Sequence, residues 1–129
     1  MNKKKFISLE GDFHGNSYGS LSVTNVGLHE LFGPVLDGSL KVTPPNASLD
    51  KENLEKDIEN KCKELIDLIS CEGSETIAAM IIESIQGVSG VRIIPNEYIQ
   101  KIREITRQND ILLIVDEVTT GIGRLGDIE

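Results

Sequence analysis

A run of apolar residues at positions 111–115 leads directly into Asp116 and Glu117, and this feature restricts the fold of the chain more than any other. An uninterrupted apolar run of this length is typical of a strand that is buried on both faces of a parallel sheet. In open α/β sheets, ligands bind at the carboxyl ends of the strands. The pattern therefore predicts a fully buried strand that presents the Asp116 carboxylate to a ligand site.

The remaining pattern indicates an α/β fold with a mainly parallel sheet flanked by helices. Residues 6–9 and 76–82 are two further apolar runs of strand length. Asp50 is a suitable N-cap for a long helix, and Asn96 for a second helix that ends near Asn109. The apolar face of the long helix is predicted to contain Leu54, Ile58, Cys62, Leu65, Ile66 and Ile69. A strand, a helix and a strand in this order predict a parallel βαβ unit.

Turn residues dominate two other stretches. We expect mostly loop over residues 20–45, with one short helix near residues 16–23, and a loop with little structure of its own over residues 83–95. A parallel sheet needs helices on both faces and more strands than the three predicted here. We therefore expect other segments or other chains to complete the sheet, with residues 1–129 forming one piece of a larger domain.

Charge and composition exclude several classes of partner. The chain has 21 acidic and 13 basic residues and a net charge of −8, which argues against nucleic acid or an anionic membrane as its main partner. The lysines at positions 3–5 precede an apolar stretch that is too short for a signal peptide, and no segment reaches membrane-spanning length. With two cysteines, no disulfide framework is indicated, so we expect a cytoplasmic protein.

The residues alone leave several interpretations of Asp116 open. A buried carboxylate needs a compensating cation, such as a metal, a basic side chain or a protonated cofactor nitrogen, and the plainest alternative is a cap on the following loop. An apolar run before Asp116 and Glu117 also suits the Mg²⁺-binding strand of a P-loop ATPase, but the chain has no Gly-Lys pair for the phosphate loop. The glycines of residues 121–126 match a dinucleotide-binding pattern only weakly, because residues 116–120 separate them from the strand.

A glycine-punctuated turn at residues 11–19 is the second candidate site. It contains Phe13, and an aromatic side chain on a loop can cover the face of a planar ligand. It also contains His14, which can act as an acid–base group. Because His29 is the only other histidine and no Cys/His spacing suits zinc, we expect no metal site.

Four segments together resemble the class-III aminotransferases, which are pyridoxal-phosphate (PLP) enzymes of fold type I. They are Phe-His-Gly at residues 13–15 and the segments 78–87, 94–100 and 116–126, in the family's order and spacing. The resemblance implies that residues 1–129 are a central fragment of the PLP-binding large domain. The N-terminal segment, the Schiff-base lysine region and the C-terminal small domain are then expected to be absent.

The resemblance also implies a role for each matching residue. Asp116 would face the pyridine nitrogen of PLP and keep it protonated, so the pyridinium would be the cation that makes the buried carboxylate tolerable. Phe13, in the same cofactor-binding motif as His14, would stack on one ring face, and Val118 would pack on the other. Thr119 stands where many relatives have a glutamine that bonds the phenolic oxygen of the ring.

Two more matches concern substrate and catalysis. Glu83 matches a glutamate that pairs with a substrate-binding arginine in several members, and Ser84 replaces the proline that usually follows it. The family's Schiff-base lysine lies a few tens of residues beyond the aspartate. None of the lysines in this chain, the last of which is Lys101, occupies that position, so we expect no catalytic residue here.

We therefore expect a fragment of a homodimeric enzyme that transfers an amino group between an amino donor and a 2-oxo acid. The fragment should be inactive alone and should regain activity by association with the missing segments. Two alternatives stay open, namely a non-catalytic remnant that serves as an interaction module, and an ATPase fragment that uses Asp116 and Glu117.

Overall fold

The computed structural model describes residues 3–126, which form a parallel sheet with two long helices. The strands are β1 (Lys5–Leu9), β2 (Ser39–Val42), β3 (Ile77–Glu83), β4 (Ile85–Gln86), β5 (Arg92–Ile93) and β6 (Leu112–Asp116). The helices are α1 (Tyr18–Val23), α2 (His29–Phe32), α3 (Lys51–Glu72) and α4 (Asn96–Gln108). Four strands form a parallel sheet in the order β2-β1-β3-β6, and β4 and β5 form an antiparallel hairpin. The predicted α/β fold is confirmed.

Helices α3 and α4 cover one face of the sheet. The α3 helix begins after Asp50, whose side chain accepts a hydrogen bond from the Asn53 amide, as predicted. The side chains that pack between the two helices and the sheet include Ile58, Cys62, Leu65 and Ile69 of α3, Tyr98 and Ile102 of α4, and Ile7, Met80 and Ile82 of the strands. Their burial is the main stabilising contribution of this face.

Two details of the helix predictions are wrong. Ile66 is 47% exposed, because at 3.6 residues per turn it lies at the margin of the buried stripe of α3. Asn96 does not cap α4 but is its first residue, and Pro95 occupies the N-cap position without a side-chain hydrogen bond. The fixed φ of Pro95 suits a helix start, so the helix forms without the predicted cap.

Strand β6 was predicted to be fully buried, and this prediction is wrong. It pairs with β3 at the edge of the four-stranded sheet, and Leu112 is 70% and Ile114 42% exposed. Ile114 and its register partner Ile81 lie on the sheet face opposite to α3 and α4. With Phe6, they line an apolar groove of about 470 Å³ along this face. An apolar run predicts burial only where neighbours cover both faces of a strand, and α3 and α4 lie on only one face of β6.

Three elements occur where loops were expected. Helix α2 and strand β2 lie within residues 20–45, and the β4–β5 hairpin lies within residues 83–95. The short helix predicted near residues 16–23 is present as α1. Among residues 3–126, no helix combines the length and hydrophobicity needed to span a lipid bilayer.

Candidate functional site

The candidate site lies where the carboxyl ends of three parallel strands meet. Strands β1, β3 and β6 are neighbours, so the residues that follow them gather at one edge of the sheet. Glu83 and Asp116 end β3 and β6 and are register partners. The loop after β1 carries Phe13 and His14, and His14 reaches Asp116 across 102 positions of sequence.

All six residues predicted for the site line one cavity of about 230 Å³. They are Phe13, His14, Glu83, Asp116, Val118 and Thr119, and Gly15, Gly87 and Val88 complete the lining. The cavity is smaller than the roughly 300–1,000 Å³ of a typical ligand site. Val118 is 92% exposed beside it. The cavity therefore has an open side at Val118.

Asp116 uses both of its carboxylate oxygens within this wall. Its Oδ2 lies 2.8 Å from His14 Nδ1, and its Oδ1 accepts a hydrogen bond from the Val118 amide at 3.1 Å. Asp116 thus caps the following turn with one oxygen and faces a histidine with the other. Its side chain is 16% exposed, and a carboxylate oxygen accepts more than one hydrogen bond, so acceptor capacity is left for a ligand.

His14 lies between two carboxylates. Its side chain is 2% exposed, and its Nε2 is 3.4 Å from Asp12 Oδ2 while its Nδ1 contacts Asp116. Its backbone amide donates to Thr24 Oγ1, which fixes the turn. Burial disfavours the imidazolium, but the two adjacent carboxylates, Asp12 and Asp116, outweigh it and raise the pKa of His14 above 6.5.

Two residues of this network, Asp12 and Gln86, were not predicted from the sequence. Both are fully buried, and Asp12 accepts hydrogen bonds from the Leu9 amide at 3.2 Å and from Gln86 Nε2 at 2.8 Å. Gly11 allows this approach, because its φ is +91° and a Cβ atom there would lie 2.9 Å from Gln86 Oε1. The only local signal for Asp12 was its position two residues before His14 in a glycine-rich turn. No local signal pointed to Gln86, which is 74 positions away from Asp12.

Glu83 connects β3 to the loop after β1. Its side chain is buried, and its Oε2 accepts a hydrogen bond from the Phe13 amide at 2.8 Å. Burial is the main cause that raises the pKa of Glu83 above its ordinary value, and the Phe13 hydrogen bond opposes the shift. In this arrangement Glu83 holds the backbone of Phe13, and its contact with a substrate arginine stays a prediction.

We expect Glu83→Ala to lower the free energy of unfolding by about 1–3 kcal/mol, because the part-buried Phe13 amide loses its acceptor. Glu83→Gln keeps an oxygen acceptor at the same position and should cost less than the alanine variant. Urea unfolding followed by circular dichroism measures both values. Equal losses in the two variants would show that the hydrogen bond to Phe13 does not contribute.

Comparison with known proteins shows the family to which the chain belongs. The family model for class-III aminotransferases matches residues 1–128. Acetylornithine aminotransferase from Aquifex aeolicus is 42% identical over 127 residues, which are 98% of this chain and 29% of that protein. The chain therefore spans less than a third of that relative.

Solved structures give the same result for the fold. A PMP-bound aminotransferase from Vibrio fluvialis superposes with a TM-score of 0.89 at 32% identity, over 98% of this chain and 28% of that one. A PLP-bound amine transaminase from an uncultivated Pseudomonas species superposes with a TM-score of 0.86 at 32% identity, over 93% of this chain and 28% of that one. By sequence and by fold, the chain belongs to the class-III aminotransferases, which are PLP-dependent enzymes of fold type I.

Proposed function

We propose that this chain forms the wall around the pyridine nitrogen in the PLP site of an aminotransferase that acts between an amino donor and a 2-oxo acid. The observation that carries the proposal is the convergence of Phe13, Glu83 and Asp116 from three strand ends on one cavity. The resemblance to the family assigns each of them a role at the cofactor or the substrate. Residues 1–129 are then a central piece of the PLP-binding large domain.

The cavity is suited to the pyridine end of PLP. Asp116 offers a partly exposed carboxylate that would hold the protonated ring nitrogen, and His14 keeps this carboxylate in place from behind. Phe13 and Val118 would pack on the two faces of the ring, and Thr119 would bond its phenolic oxygen. Bound PLP withdraws electrons from the substrate carbon that bears the amino group, and a protonated ring nitrogen strengthens this withdrawal.

The chain's own part in the reaction is to bind and to orient. No lysine is present among the described residues that line the cavity, and no arginine either. The proton transfer that a lysine performs in this family therefore needs another segment. We infer that this chain alone is inactive and acts by association with the rest of a large domain, in a homodimer as expected for the family.

The uncovered part of the sheet supports association with other segments. Phe6 and Ile114 are 39% and 42% exposed on the face opposite to α3 and α4, and Leu112 is 70% exposed on the edge strand. Exposed apolar strand edges in a stable protein need a cover.

The two free cysteines, Cys62 and Cys71, support the expected location in the cytoplasm.

The proposal is tested by grafting residues 1–128 into Aquifex aeolicus acetylornithine aminotransferase in place of its matching segment. We expect the folded chimera to bind PLP and to transaminate acetylornithine, because the graft restores the wall around Asp116. The isolated chain, treated with PLP and borohydride, should show no stoichiometric labelling of a single lysine. A folded chimera that binds no PLP would refute the proposal.

The alternative of a non-catalytic interaction module predicts that the DNA flanking this gene encodes no in-frame remainder of the domain. Sequencing that DNA decides between a split enzyme and a remnant.

The ATPase alternative has less support, because the Asp116 oxygens contact His14 and the Val118 amide and the chain belongs to an aminotransferase family. It predicts Mg²⁺-dependent ATP binding, which we expect to be undetectable.

A further inference from the structure

We propose that Asp12 is a positioning residue that keeps the His14 ring in its doubly protonated form, so that a fixed N–H group faces Asp116. The inference rests on the proposed function only for the cofactor that Asp116 would hold. The arrangement of Asp12, His14 and Asp116 is a property of the chain itself.

A carboxylate lies beside each nitrogen of the His14 ring. One ring nitrogen lies 2.8 Å from Asp116 Oδ2, and the other lies 3.4 Å from Asp12 Oδ2. A neutral imidazole has one N–H group, so one of its nitrogens would direct a lone pair at a buried carboxylate. Only the imidazolium presents a donor to both carboxylates. Asp12 therefore selects the charged ring.

Asp12 is itself held in place by donors on two other elements. Its carboxylate is fully buried and accepts hydrogen bonds from the Leu9 amide of β1 and from Gln86 Nε2 of β4. These contacts satisfy its oxygens and leave Oδ2 beside His14 Nε2. That nitrogen is buried and has no partner with hydrogen-bond geometry among the described residues, so a small ring adjustment toward Asp12 would complete the contact.

The charges around the ring favour the same state. Asp12 on the loop after β1 and Asp116 at the end of β6 lie beside the ring, and Glu83 at the end of β3 interacts with His14 through its charge. Burial opposes the imidazolium, but the adjacent carboxylates of Asp12 and Asp116 raise the pKa of His14 above 6.5. Among residues 3–126, no group of three or more His, Cys, Asp or Glu side chains has the arrangement of a metal site.

The consequence for Asp116 is electrostatic as well as geometric. A charged donor makes a stronger hydrogen bond than a neutral one, so the imidazolium fixes the Asp116 carboxylate more firmly. It also partly neutralises the charge that Asp12 and Asp116 concentrate in one buried region. Without Asp12, a neutral His14 could still contact Asp116, but with the weaker bond of a neutral donor.

The test follows the ring ¹⁵N shifts of His14 against pH in the complete chain. The chain has two histidines, so a His14→Gln variant assigns the signals. We expect the His14 midpoint above 6.5 in the wild type, and lower by about one pH unit or more in Asp12→Asn, because an opposite charge in contact shifts a pKa by roughly 1–3 units. Glu10→Gln is the control, because it removes an exposed carboxylate that does not contact His14.

A wild-type midpoint at or below 6.5, or an unchanged midpoint in Asp12→Asn, would overturn the proposal. If Asp12→Asn does not fold, two measurements on the wild type test the proposal instead. They are the midpoint of the His14 titration and the pH dependence of the free energy of unfolding. Folding raises the pKa of His14, so protonated His14 contributes to the free energy of unfolding. This contribution is complete below pH 6.5 and is lost as the pH rises through the pKa of the folded state. His14→Gln should remove this pH dependence. The titration needs no cofactor, so its outcome is independent of PLP binding by the chimera.

Discussion

Leu65→Ala should lower the free energy of unfolding by about 2–5 kcal/mol, the range for truncating a buried leucine. Leu65 is fully buried on the face of α3 that packs against the sheet. The alanine variant loses the burial of three carbon atoms and leaves a cavity between helix and sheet. Because a domain is stable by about 5–15 kcal/mol, this loss is a large part of the total. Urea unfolding followed by circular dichroism measures it.

Ile66→Ala is the matched control for Leu65→Ala. The two residues are adjacent on α3 and have side chains of equal volume, but Ile66 is 47% exposed. We expect it to cost about 1 kcal/mol or less, because its truncation opens no enclosed cavity. Similar losses at the two positions would show that α3 does not pack against the sheet through the stripe that contains Leu65.

The elements that could be predicted from the sequence are those whose pattern of apolar residues lies within a single segment. The apolar runs of β1, β3 and β6 and the helical spacing of α3 are complete within their own segments. The exposure of β6 is set instead by the absence of a covering layer among the described residues, and no pattern inside the strand reports it. Strand β2 has four residues with one charged side chain, so its pairing with β1 had no comparable signal.

The candidate site divides in the same way. Phe13, Glu83 and Asp116 follow or end apolar runs, and parallel strands bring such positions to one edge, so their proximity could be predicted from the sequence. Asp12 and Gln86 could not be predicted in this way, because each is buried together with the other, its hydrogen-bond partner 74 positions away in sequence. A buried polar residue is intelligible only when its hydrogen-bond partner is known.

The two faces of the sheet differ in how far the described residues cover them. The face under α3 and α4 has a continuous core, and the strand ends carry an ordered network around His14. The opposite face exposes Phe6 and Ile114, and the cavity beside Asp116 has an open side at Val118. The uncovered face of the sheet and the open side of the cavity belong to a chain that spans less than a third of the relatives compared above.

Asp116→Asn in the chimera should lower kcat of transamination by about 10²–10³, the usual cost of removing one preorganised electrostatic contact in an active site. The asparagine keeps the shape of the side chain but has no charge with which to hold a protonated ring nitrogen, which is the role proposed for Asp116. Because the loss concerns a step after substrate binding, KM for the amino donor should change much less than kcat. Steady-state kinetics at saturating PLP measures both constants.

Asp110→Asn is the control that separates this effect from a general loss of charge. Asp110 precedes β6, its side chain is 92% exposed, and its φ of +53° suits asparagine well. Its replacement removes the same charge six residues before Asp116. It should leave kcat within a factor of about two, because Asp110 does not line the cavity and an exposed substitution changes folding stability by about 0.5 kcal/mol or less. Full activity of Asp116→Asn beside an unaffected Asp110→Asn would mean that the cofactor nitrogen is held by another residue.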